Sequence, residues 1–338
     1  MSTTRFHDLL AAKPILFADG GMGTGLFAQG LETGDSPELW NIDRPERVQA
    51  VHRGFAEAGS DIILTNTFGG NARRLALHSA QNRVRELNVA GARIARAVAE
   101  EFDRPVIVAG SMGPTGDIFQ PIGALSYEEG VAAFAEQAEA LAEGGVDVLW
   151  IETISAAEEV QAAIEGASRT GLPIVSTMTF DTNGRTMMGL TPEAAITHGR
   201  NCACRPSAFG ANCGIGPAQL LDSILGLVRA SETGDIIVAK GNCGIPQYRE
   251  GAIVYDGTPQ IMADYAVLAR DAGARIIGGC CGTTPEHIRA MVAAVNGTAR
   301  GPVPDVEAVE RLLGPIKAQS GRPAEGGGER EGRRRRRA

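Results

Sequence analysis

Eight short apolar runs recur along the chain, at residues 14–18, 61–64, 105–109, 147–151, 173–177, 207–211, 236–239 and 275–277. Each is bounded by Gly, Pro or polar turn residues. Amphipathic segments alternate with them near 44–58, 82–101, 126–144, 156–170, 191–201, 217–230, 258–272 and 285–296. Eight strands alternating with eight helices is the count of an α/β chain closed into a (β/α)₈ barrel, the TIM barrel, as a single domain. An open doubly wound sheet is the alternative.

Local signals agree with this spacing. Thr191-Pro192-Glu193 and Thr284-Pro285-Glu286 each put Thr at a helix N-cap, Pro at the first helical position and a carboxylate in the first turn, where the helix dipole favours it. Gly59, Gly144-Gly145, Gly171 and Gly273 end helices just before a strand.

The residues that follow the strands carry the chemistry. In order they are Asp19-Gly20-Gly21-Met22-Gly23-Thr24, Thr65-Asn66-Thr67, Gly110-Ser111-Met112-Gly113-Pro114-Thr115, Glu152-Thr153, Thr179-Phe180-Asp181, Asn212-Cys213, Gly241-Asn242-Cys243-Gly244 and Cys280-Cys281. In a barrel all of these meet at the C-terminal rim, where barrel enzymes place their active sites. Adjacent cysteines on a strand point to opposite faces and do not both fill one core. A disulfide between them would be strained. Cys213 read alone is a small core residue or a ligand. Three thiolates from two strand ends would make a Zn²⁺ site with its fourth position open, the catalytic arrangement.

Asp19 and Glu152 each end an apolar strand, so each is expected to be partly desolvated and to need a cationic partner. Either a substrate ammonium or an internal Arg or Lys would serve, and neither strand end has such a residue beside it. The glycine-rich segment after Asp19 offers N–H groups suited to a carboxylate. It is not a dinucleotide fingerprint, because Gly21-Met22-Gly23-Thr24-Gly25-Leu26 lacks the last required glycine.

Composition narrows the setting. The 338 residues are 43% hydrophobic, enough for a substantial core, and no run of about 18 apolar residues occurs. The N-terminus shows no secretory h-region, so a cytoplasmic protein is expected. In a reducing compartment the six cysteines, at 202, 204, 213, 243, 280 and 281, read as metal-binding or catalytic rather than as a disulfide framework. Residues 318–338 hold seven Arg against three Glu, and with a formal net charge of −8 for the whole chain, residues 1–317 carry −12. This Gly/Arg-rich tail has no apolar periodicity and is expected to be disordered, a solvated end rather than a nucleic-acid or membrane site. The expected division is a barrel over 10–298, an extension over 299–317 and the basic tail.

Taken together, Asp19-Gly20-Gly21-Met22-Gly23-Thr24, Thr65-Asn66-Thr67-Phe68, Gly113-Pro114-Thr115, Ile151-Glu152-Thr153, Gly210-Ala211-Asn212-Cys213 and Gly278-Gly279-Cys280-Cys281-Gly282-Thr283 resemble the motifs of the zinc-dependent homocysteine S-methyltransferases. That family includes betaine–homocysteine methyltransferases and the homocysteine-binding module of cobalamin-dependent methionine synthase. The resemblance covers about residues 10–298. It implies a (β/α)₈ barrel, Zn²⁺ on Cys213, Cys280 and Cys281, and methyl transfer to homocysteine giving methionine. It also implies that Asp19 and Glu152 hold the amino acid's ammonium group, with Gly20 and Thr67 nearby.

For the methyl donor the reading favours betaine, with dimethylglycine as product, since the chain looks most like bacterial proteins of that type, including Gly241-Asn242-Cys243-Gly244-Ile245-Pro246. Trimethylammonium groups are gripped by aromatic faces. The animal betaine enzymes have Tyr after the strand-four Glu, where this chain has Thr153, so Trp40 with Phe68, Phe119 or Tyr248 would have to rebuild the cage. The alternative is a split methionine synthase module fed by a separate corrinoid protein. A zinc-sensing or storage module is a third reading, with Cys243 closing the fourth position. Cys202 and Cys204 read as surface thiols and His287 as structural. Oligomerisation is compatible with this reading, but no stripe sets an interface apart from the helix faces a barrel already needs.

Overall fold

The computed structural model describes residues 4–249 and 252–316. Its strands are β1 (Leu16–Phe17), β2 (Ile62–Leu64), β3 (Ile107–Met112), β4 (Val148–Ile154), β5 (Ile174–Met178), β6 (Ala208–Cys213), β7 (Ile237–Gly241), β8 (Pro246–Arg249), β9 (Ala252–Tyr255) and β10 (Ile276–Gly279). Eight of them form one parallel sheet in the order β1-β10-β7-β6-β5-β4-β3-β2. A parallel bridge between Ala18 and Ile62 joins its two ends, so the sheet closes into the expected (β/α)₈ barrel. The expected helices are present as Pro45–Glu57, Val84–Ala99, Tyr127–Gly144, Ala157–Ser168, Pro192–Asn201, Pro217–Arg229, Pro259–Ala272 and Pro285–Gly297.

Side chains alternate along each strand, and this parity fills the barrel. Leu16, Ala18, Ile62, Leu64, Ile107, Ala109, Val148, Trp150, Val175, Ala208, Val238 and Ile276 make one buried cluster, with Trp150 its largest side chain. Residues of opposite parity, such as Phe17, Ile63, Val108, Leu149 and Ile237, join the outer core against the helices. The lumen is therefore packed apolar up to a level set by Trp150. Above it the inward positions become polar, with Ser111, Glu152, Asn212 and Lys240 all buried. This is why β3, β4 and β6 run further than their apolar stretches: the ladder continues through polar residues that face the site.

Among the elements beyond the eight expected strands and helices, short helices at Met22–Ala28, Trp40–Asp43 and Ala72–Leu75 included, three additions shape the barrel. A helix at Arg5–Ala12 is capped by Thr4, and its Phe6, Leu9 and Leu10 join the lumen cluster, stopping the N-terminal mouth of the barrel. The pair β8–β9 forms an antiparallel hairpin between β7 and the helix Pro259–Ala272. In the C-terminal extension, the helix Val306–Leu313 buries Val309 in the outer core. The basic tail at 318–338 lies outside the described residues. No helix among the described residues is long and apolar enough to cross a membrane.

Candidate functional site

At the C-terminal end of the barrel the sulfurs of Cys213, Cys280 and Cys281 lie within 4.8 Å of one another. Sulfurs grouped this closely need at most a small inward shift to share one zinc ion through bonds of about 2.3 Å, and an all-thiolate donor set suits that metal. The residues present thus fit the ion implied by the sequence. The thiols also hydrogen-bond among themselves; Cys280 lowers the pKa of Cys213, but Cys281 and burial raise it, with a net push up to about 12.

The backbone around these sulfurs is tightly specified. Cys213 ends β6 in the left-handed region at φ 63°, and Thr153, just past Glu152 in β4, has the same φ of 63°. Such conformations cost about 1–3 kcal/mol each and persist where neighbours hold them. Here Asn212 does so: its Oδ1 accepts from Thr153 N–H at 2.9 Å and its Nδ2 donates to Thr153 Oγ1 at 2.7 Å. Asn242 ties the two sulfur loops together, its Oδ1 accepting from Cys281 N–H at 3.0 Å while its Nδ2 donates to the Gly214 carbonyl. Gly282 has φ +77°, and a Cβ there would sit 2.2 Å from Cγ of Tyr255, so glycine is required on two counts. Tyr255, from the hairpin, packs on this turn and hydrogen-bonds Cys281 through its hydroxyl.

The sulfurs open onto a cavity of about 520 Å³ whose walls include Gly20, Thr67, Ser111, Glu152, Lys240 and Tyr255. Glu152 Oε1 accepts from Ser111 Oγ at 2.5 Å. Burial raises the pKa of the Glu152 carboxyl, with the charge of Lys240 and the Ser111 hydrogen bond opposing. Thr67 is buried in the wall, its hydroxyl donating to the Ser111 carbonyl at 2.7 Å.

Asp19 has the internal partner that was one of two readings from the sequence. Its Oδ1 receives a hydrogen bond from Lys240 Nζ at 2.7 Å and its Oδ2 one from Leu64 N–H at 2.7 Å. The carboxylate is wholly buried, and both oxygens are engaged. Burial works to strip Lys240 of its proton, yet Asp19 and Glu152 outweigh it and its pKa is raised. The Nζ also lies 5.7 Å from the centroid of the Trp150 ring. Sequence reasoning missed Lys240, although its place two residues after Val238 already aimed it into the lumen.

Other expectations are corrected. Cys243 does not join the sulfur cluster. Its Sγ meets His287 Nε2 at 3.2 Å and donates to the Gly257 carbonyl at 3.1 Å, so it is not positioned to close a fourth ligand place. Trp40 is covered by Arg47, 5.1 Å from its centroid, and Phe119 is buried, so neither lines the cavity. The Tyr248 side chain lies outside the described residues. The aromatic side chains that do line the cavity are Phe27, Phe68 and Tyr255, beside Arg74 and His78.

Comparison with known proteins follows the same lines. A family model described as homocysteine S-methyltransferase matches residues 16–295. The methionine synthase of Mycobacterium tuberculosis is 33% identical over 316 residues, 88% of this chain and 26% of that protein. The Mycobacterium leprae methionine synthase is 31% identical over 312 residues, 87% of this chain and 25% of that protein. The chain thus spans about a quarter of the length of these relatives. Among solved structures, the metallated form of the Escherichia coli homocysteine methyltransferase MmuM superposes with a TM-score of 0.72 at 25% identity, covering 86% of this chain and 99% of that one. The matched segment takes in the barrel from β1 to the helix after the paired cysteines, and the chain belongs to the homocysteine S-methyltransferase family.

Proposed function

We propose that this chain methylates the thiol of homocysteine to give methionine, with Zn²⁺ held by Cys213, Cys280 and Cys281. The convergence of three sulfurs at the mouth of a cavity floored by charged side chains carries this reading. An unbound thiol titrates near 8.5; zinc on three thiolates would let a fourth, incoming thiol bind as a nucleophilic thiolate at neutral pH. The chain's own residues then position the acceptor. Glu152 receives the ammonium group, Gly20 and Thr67 shape the wall around the amino acid, and Asp19 acts through its grip on Lys240. In the transfer, the new S–C bond forms as the methyl group's bond to its donor breaks, and the thiol proton leaves to solvent.

Betaine is the proposed donor. The rings of Phe27, Phe68 and Tyr255 line the cavity and suit a trimethylammonium group, and Arg74, also in the lining, suits its carboxylate. The likeness to methionine synthases favours a second reading, a methylcorrinoid brought by a separate protein. Assaying the purified protein with homocysteine and either betaine or a methylcorrinoid protein separates the two. Betaine-dependent methionine and dimethylglycine are expected, and turnover with the corrinoid protein alone would reverse the assignment. Cys281→Ala should lose stoichiometric zinc together with activity; a variant that keeps both would remove Cys281 from the ligand set.

A further inference from the structure

Lys240 and Glu152 present opposite charges to the same cavity, whereas Asp19 is sealed beneath them. An ammonium group has three donors, and Asp19 takes one of those of Lys240. Ser111 engages one oxygen of Glu152. Each group therefore keeps hydrogen-bonding capacity toward the cavity. The Lys240 head is fixed by Asp19 from one side and by the Trp150 ring below, so little ordering is left to do when an anion arrives. Cys280 lies within electrostatic reach of both Lys240 and Glu152, which places the charged pair and the sulfur cluster in one compact site.

We infer that Lys240 completes a receptor for the zwitterionic head of the acceptor amino acid, binding its α-carboxylate opposite the α-ammonium already assigned to Glu152. The inference rests on the function proposed above and adds the residue that selects an amino acid over a simple thiol. It also recasts Asp19 as a positioning residue that orients Lys240.

Three thiols test it: homocysteine, 3-mercaptopropylamine, which lacks the carboxylate, and 4-mercaptobutyrate, which lacks the ammonium. Their binding is read from the thiolate-to-metal absorption of the cobalt-substituted protein, so no turnover is needed. A lost charged hydrogen bond weakens binding about tenfold to a hundredfold, so the wild type should prefer homocysteine to 3-mercaptopropylamine by that factor. In Lys240→Met this preference should collapse toward unity while that over 4-mercaptobutyrate persists, and Glu152→Gln should show the converse. Because Lys240→Met strands a buried carboxylate, the double variant Asp19→Asn/Lys240→Met removes the pair together, and stoichiometric cobalt reports an intact site. A wild type that binds homocysteine and 3-mercaptopropylamine alike, or variants with unchanged preferences, overturns the receptor alone. Failure of homocysteine to alter the wild-type spectrum overturns the proposed function and the receptor with it.

Discussion

Asn242 shows how much of the site depends on side chains that touch no substrate. It bonds the backbone of both sulfur-bearing loops, so the distance between Cys213 and the paired cysteines is set partly by one amide. Outer contacts of this kind are commonly worth a factor of about 10–100 in metal affinity. Asn242→Ala should therefore weaken zinc by that order in a chelator competition while the fold survives; unchanged affinity would show that the loops hold themselves. Cys280 and Cys281 were legible because adjacent thiols at a strand end fit poorly into one core, whereas Cys213 read alone was core or ligand and joined them through the family resemblance. The partner of Asp19 was not legible, since Lys240 lies 221 residues away and only barrel closure brings them together. A charged residue at the end of an apolar run reads as the end of a strand, and here it is the floor of the site.

At the scale of elements, the alternation of apolar runs and amphipathic segments located the strands and helices because the barrel strands are buried on both faces and most helices on one, Pro217–Arg229 being buried nearly all round. The helix Arg5–Ala12 escaped that pattern, being too short to repeat, although Phe6, Leu9 and Leu10 share one face. The hairpin β8–β9 escaped it because it stands outside the barrel sheet. The short helix is nonetheless a structural stopper: Phe6 is fully buried among inward residues of the strands. Phe6→Ala should cost about 3–5 kcal/mol in urea unfolding, leaving zinc content unchanged at the far end of the barrel. A loss under 1 kcal/mol would mean that the helix does not seal the lumen.

Over the whole molecule, acid stability should carry the signature of His52. This side chain is wholly buried, neither ring nitrogen has a hydrogen-bond partner among the described residues, and burial lowers its pKa from 6.5 to about 3. Below pH 6.5 the unfolded chain binds a proton that the folded chain refuses until about pH 3. The stability held by this group is complete above pH 6.5 and is lost as pH falls through that window, by a few kcal/mol at about 1.4 kcal/mol per unit. Against the wild type, His52→Leu should flatten the acid limb of urea midpoints between pH 6.5 and 4; parallel limbs would show that the ring is solvated. The central claim concerns a metal held by two remote segments that keeps one coordination place for the substrate. Zinc-edge X-ray absorption of the purified protein, with and without homocysteine, tests it most directly. Three sulfur neighbours and one lighter atom are expected without homocysteine, and four sulfurs with it. Four sulfurs from the start, or a spectrum that homocysteine leaves unchanged, would contradict it.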